Sequence, residues 1–185
     1  MKKISKILAA NRSEIAIRIF RAAEESGIKT AAIYSKEDRF AIHRFKTDES
    51  YLVGEGKGPI QAYLDINSII QIAKDAKVDA IHPGYGFLSE SPELAEQCEK
   101  NNITFIGPSK EILKRFGNKT EAKKVAEQAK VDTIPSFLVT KDKNKTIQKK
   151  VDAIGYPVIV KASWGGGGRG MRVVHSSKDL IDQIT

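Results

Sequence analysis

Sequence patterns typical of buried strands and of amphipathic helices alternate along the first 110 residues of the chain. The apolar run at residues 4–10 suits a strand buried on both faces, and Ile15, Ile19, Ala22 and Ala23 follow at the spacing of one helix face. Further strands are predicted at residues 30–34, 51–53, 78–81 and 103–106, and further helices at residues 66–76 and 92–100. This alternation predicts a parallel sheet with helices on both faces, and right-handed crossovers make it a doubly wound α/β fold.

Several residues mark the ends of the predicted helices. Gly27 is placed to end the first helix, while Ser91 and Ser109 are placed as N-caps of later ones. Asn118, with Glu121 three residues on, has the pattern of a capping box. The single cysteine, Cys98, cannot form an internal disulfide, and we expect it to be a small buried hydrophobe in a reducing compartment.

Two loops are predicted at the carboxyl edge of the sheet, where α/β folds bind their ligands. One loop is residues 10–13, and the other is residues 82–90, His-Pro-Gly-Tyr-Gly-Phe-Leu-Ser-Glu. The second loop is more constrained than a turn requires, so we favour a site-lining role over turn chemistry alone. The candidate site-lining residues are His82, Gly84, Tyr85, Gly86 and Glu90. His43 and His175 have no such context and are predicted to lie at the surface.

From residue 131 the pattern changes to that of an incomplete α+β unit. Strands are predicted at residues 137–139, 158–160 and 171–174, with a lysine-rich helix at 147–154 and a helix that Ser176 caps. The run at 158–160 is continuous and apolar, as in a strand that is buried on both faces.

A glycine loop lies between the last two predicted strands and follows Lys161. A lysine at this strand end is costly to bury unless an anion pairs with it. Glycines without Cβ atoms can bring several backbone N–H groups to phosphate oxygens. The combination predicts a polyphosphate clamp, and the alternative is a hairpin turn without a ligand, although two residues are enough for a turn. The loop glycines are Gly165, Gly166, Gly167, Gly168 and Gly170.

Two other nucleotide motifs are excluded. Gly165, Gly167 and Gly170 match the spacing of a dinucleotide fingerprint, but that motif must open a helix, and a strand is predicted here instead. The sequence contains no Gly-x-x-x-x-Gly-Lys-Ser/Thr motif, so a P-loop is excluded as well.

Lys119 lies in the first turn of the helix that Asn118 caps, where the helix dipole disfavours a cation. It is therefore a second candidate for phosphate binding, although a chance placement fits this observation almost as well.

The net charge of +8 comes mostly from residues 110–150, which hold 12 Lys and Arg against 5 Asp and Glu, a local charge of +7. Acidic residues are interleaved with the lysines, and aromatic residues for base stacking are not. We therefore expect a solvated face and no nucleic-acid partner.

The apolar run at residues 7–10 is too short for an export signal or a membrane span, so a cytoplasmic location without membrane contact is predicted.

Four segments resemble biotin carboxylases of the ATP-grasp class, and they occur in the same order. They are residues 6–16, 82–90, 117–120 and 161–172, which together extend over nearly the whole chain. Residues 58–66 and Trp164 are more similar to the biotin carboxylase part of pyruvate carboxylases than to that of acetyl-CoA carboxylases.

The resemblance implies a pre-ATP-grasp domain at residues 1–116 and the start of an ATP-grasp domain, a linker helix and truncated lid, at residues 117–185. It implies that Lys119 and Lys161 contact ATP phosphates beside the glycines Gly165–Gly168. The implied reaction uses ATP, Mg²⁺ and bicarbonate to carboxylate biotin on a carrier domain. The family is often dimeric through its first helix, which makes Arg18 and Arg21 candidates for an interface, with a solvated helix edge as an equal alternative.

The sequence departs from the family pattern at three places and in its length. Ser13 replaces a usual glycine, Asn118 replaces a usual aspartate, and Ser136 with Phe137 stands where a glycine turn is common. Biotin carboxylases continue well past residue 185, where their metal, bicarbonate and biotin residues lie. We therefore expect an N-terminal fragment that is inactive alone, with no catalytic or metal-binding residue of its own. The alternatives are another ATP-grasp ligase, such as a carbamoyl-phosphate synthase, and a truncated non-catalytic module that binds nucleotide or a partner.

Overall fold

A computed structural model describes residues 3–140, 143–161 and 170–184 of the chain. The chain divides into two compact units, Met1–Lys114 and Arg115–Thr185, and each is described by itself. None of the described helices has the length and apolarity that crossing a membrane requires.

The first unit is built on five parallel strands in the order β3-β2-β1-β4-β5. The strands are β1 (Lys6–Ala9), β2 (Lys29–Tyr34), β3 (Glu49–Leu52), β4 (Ala80–His82) and β5 (Thr104–Phe105). Its helices are α1 (Ser13–Glu25), α2 (Pro59–Tyr63), α3 (Ile66–Asp75) and α4 (Pro92–Lys100), and two short 3₁₀ helices, Glu37–Phe40 and Ile42–Phe45, join β2 to β3. Helix α5 (Lys110–Gly117) begins in this unit and extends past its last residue, Lys114. The prediction of a doubly wound parallel sheet is confirmed, with strand ends that differ by up to two residues.

Alternate side chains of β1 enter two hydrophobic cores, one on each face of the sheet. Leu8 packs in the larger core with residues of α2, α3 and α4, whereas Ile7 and Ala9 pack against α1. Cys98 lies fully buried in the larger core, as predicted, and burial raises the pKa of its thiol to about 12. Each fully buried leucine or isoleucine contributes about 1.5–3 kcal/mol relative to an exposed one.

Helix α1 buries a slightly different stripe from the predicted one. Ala16, Ile19, Phe20 and Ala23 are buried, but Ala22 is exposed, which corrects the prediction that it faces inward. Ala22 lies roughly 120° around the helix from the centre of this stripe, since each residue turns the helix by about 100°. Gly27 ends the helix with a positive φ of 69°, as expected of a C-terminal cap.

His43 is fully buried, so its predicted surface position is wrong. The second 3₁₀ helix directs the imidazole at β2, where Nε2 lies 3.1 Å from the carbonyl oxygen of Ile33. Among the described residues, Nδ1 of His43 has no hydrogen-bond partner. Burial lowers the pKa of His43 below its ordinary value of 6.5. His175 is exposed, as predicted.

The second unit consists of helices around one antiparallel hairpin. Its elements are α6 (Lys119–Gln128), α7 (Asn144–Ile154), β6 (Val158–Val160), β7 (Arg172–Val174) and α8 (Leu180–Ile184). Ile147, Val151, Val174 and Leu180 form its core against one face of the hairpin. The prediction that β6 is buried on both faces is wrong, because Ile159, at its centre, is 55% exposed.

Two further predictions for the second unit are wrong. Residues 137–139 do not form a strand, since no strand in the described part of the chain pairs with them, and Leu138 and Val139 are exposed. The last helix begins at Leu180 rather than directly after Ser176. The hydroxyl of Ser176 instead donates to Asp179 Oδ2 at 2.8 Å and stabilises the turn that precedes the helix.

We predict that buried His43 makes the first unit less stable in acid. Its pKa in the fold is below the unfolded value of 6.5, so the unfolded chain takes up a proton first as the pH falls. The free energy of unfolding should be fully maintained above pH 6.5 and should decrease as the pH falls from there to the folded pKa. Chemical denaturation at several pH values, from about 8 to about 5, measures this.

The variant His43→Gln is the control for this prediction. His82 has a lowered pKa as well and acts in the same direction, so the variant should lose only part of the acid dependence. An acid dependence that is unchanged in His43→Gln would contradict the assignment to His43.

Candidate functional site

The two predicted loops meet at the carboxyl edge of the sheet, where buried Asn11 joins them. Asn11 Nδ2 donates to the carbonyl oxygens of Pro83 at 2.7 Å and Tyr85 at 2.8 Å. Asn11 Oδ1 accepts from the backbone N–H of Arg12 at 2.9 Å. The loops are adjacent because β1 pairs directly with β4, and the backbone N–H of Ala10 extends this pairing to the carbonyl of His82.

Gly84 packs directly against Asn11. It has a φ of 66°, and a Cβ there would lie 2.8 Å from Asn11 Nδ2 and 3.1 Å from a side-chain carbon of Ile15. Its N–H donates to His82 Nδ1 at 3.0 Å. Gly86 also has a positive φ, 65°, but a Cβ there would meet nothing within 4 Å. Close packing therefore explains why residue 84 is a glycine, whereas at residue 86 the positive φ alone favours glycine.

His82 is half-buried, and burial lowers its pKa below 6.5. It is therefore neutral at pH 7, with Nδ1 accepting from Gly84, which leaves the proton on Nε2. His82 lines an open groove of about 320 Å³ beside α1, together with Arg18, Ile19 and Ala22. It can act there as a neutral hydrogen-bonding group.

Tyr85 and Glu90, two other candidates of the same loop, are exposed. The Tyr85 hydroxyl donates to Glu14 Oε1 at 2.5 Å, and this hydrogen bond raises the pKa of Tyr85. Glu14 lies in the first turn of α1, so the hydrogen bond joins the loop to the helix.

A second set of contacts, which the sequence analysis missed, supports these loops. Asp38 Oδ2 accepts from the hydroxyl of Tyr63 at 2.7 Å and from Arg12 Nη1 at 3.1 Å. The Tyr63 ring stacks on Phe87 with centroids 5.2 Å apart, and the Arg12 guanidinium lies 5.7 Å and 5.8 Å from the two ring centres. Burial raises the pKa of Tyr63, which remains a hydrogen-bond donor. No sequence spacing links Asp38 and Tyr63, because they come from different connections.

In the second unit, Asn118 caps α6 as predicted. Its side-chain Oδ1 accepts from the backbone N–H groups of Thr120 at 3.0 Å and Glu121 at 3.3 Å. Lys119 is therefore the first residue of the helix, with an exposed side chain. Lys161 directly follows β6 and is also exposed, so in this structure it does not carry the cost of burial.

The hairpin presents an apolar face that the sequence analysis also missed. Ile159 and Val173 are directly opposite each other and are 55% and 54% exposed, and Met171 is 48% exposed. Side chains alternate along a strand, so Lys161 continues the face of Ile159. The continuous apolar run at residues 158–160 does not indicate which side of the strand is covered, so the sequence carried no signal for this face. The predicted glycines Gly165, Gly166, Gly167 and Gly168 lie outside the described residues, and Gly170, with a φ of 72°, lies within them.

Residues 3–113 match the family described as biotin carboxylase, N-terminal domain. The chain belongs to this family. Residues 118–185 match the carbamoyl-phosphate synthase L chain, ATP binding domain. The resemblance to biotin carboxylases that the sequence motifs carry is thus confirmed.

Proteins of known name are similar to this chain across both of its units. The chain is 55% identical to pyruvate carboxylase of Bacillus subtilis (strain 168) over 97% of its length, and 48% identical to the mitochondrial pyruvate carboxylase of Homo sapiens over 100%. It spans about 16% of the length of these relatives.

Two similar solved structures are biotin carboxylases. One is a complex of biotin carboxylase with β-γ-ATP from Campylobacter jejuni, with a TM-score of 0.91 and 44% identity. The other is the biotin carboxylase domain dimer of Hydrogenobacter thermophilus 2-oxoglutarate carboxylase with MgADP, ADP and bicarbonate, with a TM-score of 0.90 and 41% identity. In each comparison 98% of this chain is matched to 40% of the other.

Ser13, where the family usually has glycine, gives a prediction for stability. Its φ is 56°, in the left-handed region that costs a side-chain-bearing residue about 1–2 kcal/mol. Ser13→Gly should remove this cost but add unfolded-state entropy, for a net stabilisation of about 0.5 kcal/mol. The free energy of unfolding from denaturant titration measures the change.

The matched control is Ser26→Gly at the other end of α1. Ser26 has a φ of −94°, and its hydroxyl donates to the carbonyl of Ala22 at 2.8 Å. This change should therefore destabilise. If both substitutions lower the free energy of unfolding equally, the positive φ of Ser13 does not cost the fold stability, and the prediction is wrong.

Proposed function

We propose that this chain forms the first part of a biotin carboxylase, an ATP-dependent ligase that uses bicarbonate to carboxylate biotin on a carrier domain. The parent enzyme in this proposal is a pyruvate carboxylase. The observation that carries the proposal is the exposed hairpin face, which ends at Lys161, four positions before the first glycine of the glycine loop, in a chain of this family. The proposed domains are residues 1–116 and residues 117–185.

In this proposal the hairpin face binds the nucleotide. The adenine ring packs on Ile159, Met171 and Val173, because an exposed apolar patch gains free energy when a flat apolar ring covers it. The triphosphate then extends along the same face to Lys161 and to the backbone N–H groups of Gly165–Gly168, with Lys119 as a second cation. Phosphoryl transfer depends on such neutralisation of phosphate charge more than on covalent chemistry by the protein.

When bound, Mg²⁺ would supply neutralisation of phosphate charge in such a reaction. Among the described residues there is no cluster of three or more His, Cys, Asp or Glu that could hold a metal ion, so we assign no Mg²⁺ ligand to them. We therefore propose that this chain binds nucleotide but does not complete the reaction alone.

The remaining proposals concern the first unit and its partners. We propose that His82, Gly84, Tyr85, Gly86 and Glu90 line the site at the carboxyl edge of the sheet. The proposed partners are a biotin carrier domain and a second copy of the chain, and the proposed location is the cytoplasm. The alternative function, a non-catalytic module that binds nucleotide or a partner, shares the nucleotide site and differs in the parent reaction.

Removal of the Lys161 charge should weaken binding of MgATP by about 10-fold or more, since hydrogen bonds to charged groups contribute about 1.5–3 kcal/mol. Lys161→Met keeps the apolar stem and removes the cation. Lys149→Met, on an exposed face of α7, is the control and should bind as the unchanged chain does. Trp164, the only tryptophan, is three residues from Lys161, so its fluorescence reports binding. Equal affinity in both variants would exclude Lys161 as a phosphate ligand.

The second test measures bicarbonate-dependent cleavage of MgATP by the folded chain, with and without free biotin. We expect no cleavage that biotin stimulates, because the described residues supply no metal cluster. Biotin-stimulated cleavage would show that these 185 residues suffice for the reaction and would overturn the proposal of an incomplete site.

A further inference from the structure

Asn11 is 3% exposed, and its side chain uses its hydrogen-bonding groups on the backbone of two loops. Its two N–H groups reach the carbonyls of Pro83 and Tyr85, and its oxygen accepts from Arg12. Aspartate has the same shape but lacks the donors, and glutamine is one methylene longer. A buried amide with partners on both sides of Gly84 thus fixes three consecutive residues of the loop 82–90.

Gly84 is the complementary half of this contact. A Cβ on Gly84 would lie 2.8 Å from Asn11 Nδ2, so the loop reaches the amide only because this position has no side chain. The Gly84 N–H in turn holds His82 by its Nδ1 atom. The orientation of the His82 ring therefore depends on the position of the Gly84 backbone.

A second anchor holds the far side of the loop. Phe87 has a φ of 41°, a conformation that bulky residues rarely adopt, and its ring stacks on Tyr63. Tyr63 is fixed by its hydrogen bond to Asp38, which also accepts from Arg12, the residue after Asn11. Tyr85 and Gly86 are the exposed residues between these two anchors.

We propose that Asn11 is a positioning residue: its carboxamide fixes the loop 82–90 so that His82 and Tyr85 present their polar groups at the carboxyl edge of the sheet. This role rests on the proposed function only for the identity of the ligand that these groups meet. The geometry of the loop can be tested without any activity.

The test compares Asn11→Ala with Asn101→Ala in the folded chain. Asn101 also donates from its side-chain amide to a carbonyl, that of Gln97 at 2.8 Å, but at the end of α4. The amides of Gly84 and Ser89 donate to His82 Nδ1 and to the carbonyl of Gly86. Their hydrogen exchange, followed by NMR, should become about 10-fold faster or more in Asn11→Ala, because two buried hydrogen bonds that hold the loop are lost. It should stay unchanged in Asn101→Ala.

An NMR titration of the histidines distinguishes positioning from a general loss of stability. In Asn11→Ala, His82 should titrate closer to 6.5, since its ring loses burial and the donor from Gly84. Arg18 is a charged residue that lines the same groove. It lies on α1 rather than in the loop, so we expect it to keep its position and to add no change to the titration of His82. The pKa of His43 responds to the charges of Asp38 and Arg12, so an unchanged His43 titration would show that the second anchor keeps its place in the variant.

Gly84→Ala breaks the same contact from the loop side and should reproduce both changes, so the test stands even if Asn11→Ala fails to fold. Unchanged exchange of the amides at positions 84 and 89 and an unchanged His82 titration in a folded variant would overturn the proposal. Neither readout depends on nucleotide or biotin, so loss of the proposed function would leave this inference intact.

Discussion

The pairing of β1 with β2 on one side and β4 on the other is the constraint on which the first unit depends. Parallel strands end at the same edge, so this central position brings residues that are more than 70 positions apart in the sequence into hydrogen-bond range. A buried amide at the end of β1 is stable only because backbone carbonyls of the loop after β4 meet it. The sheet thus supplies the proximity, and Asn11 converts it into a fixed loop.

Local patterns predicted most of the fold because each element carries its own signal. Apolar periodicity located α1 and α3, and the N-caps at Ser91 and Asn118 hold the hydrogen bonds expected of them. His43 could not be placed this way, because its burial depends on how two 3₁₀ helices fold against β2. A strand at residues 137–139 was predicted from a short apolar pattern, but a strand also needs a partner, and sequence pattern does not supply one.

The part of the candidate site that one continuous segment forms could be predicted from the sequence. The part that residues from separate segments form together could not. The loop 82–90 was found as a run of unusual residues, and its glycine at position 84 is explained by contact with Asn11. Asp38 and Tyr63 support the same loop but lie in separate connections, so only the three-dimensional structure relates them. The hairpin face of Ile159, Met171 and Val173 was missed because an apolar run alone does not say which side of a strand is covered.

The charge of the second unit is consistent with a solvated surface around Lys161, the proposed phosphate ligand. Lys124 pairs with Glu121 at 2.8 Å, and Lys123 lies 3.6 Å from Glu127 on the same helix. Such exposed pairs stabilise little, about 0.2–0.5 kcal/mol each, but they lower the local field of the lysines. Lys161 differs from these helical lysines, because it stands at a strand end, on an apolar face, four positions before the first of four consecutive glycines. Position, rather than the total charge, is therefore the basis for proposing Lys161 as a phosphate ligand.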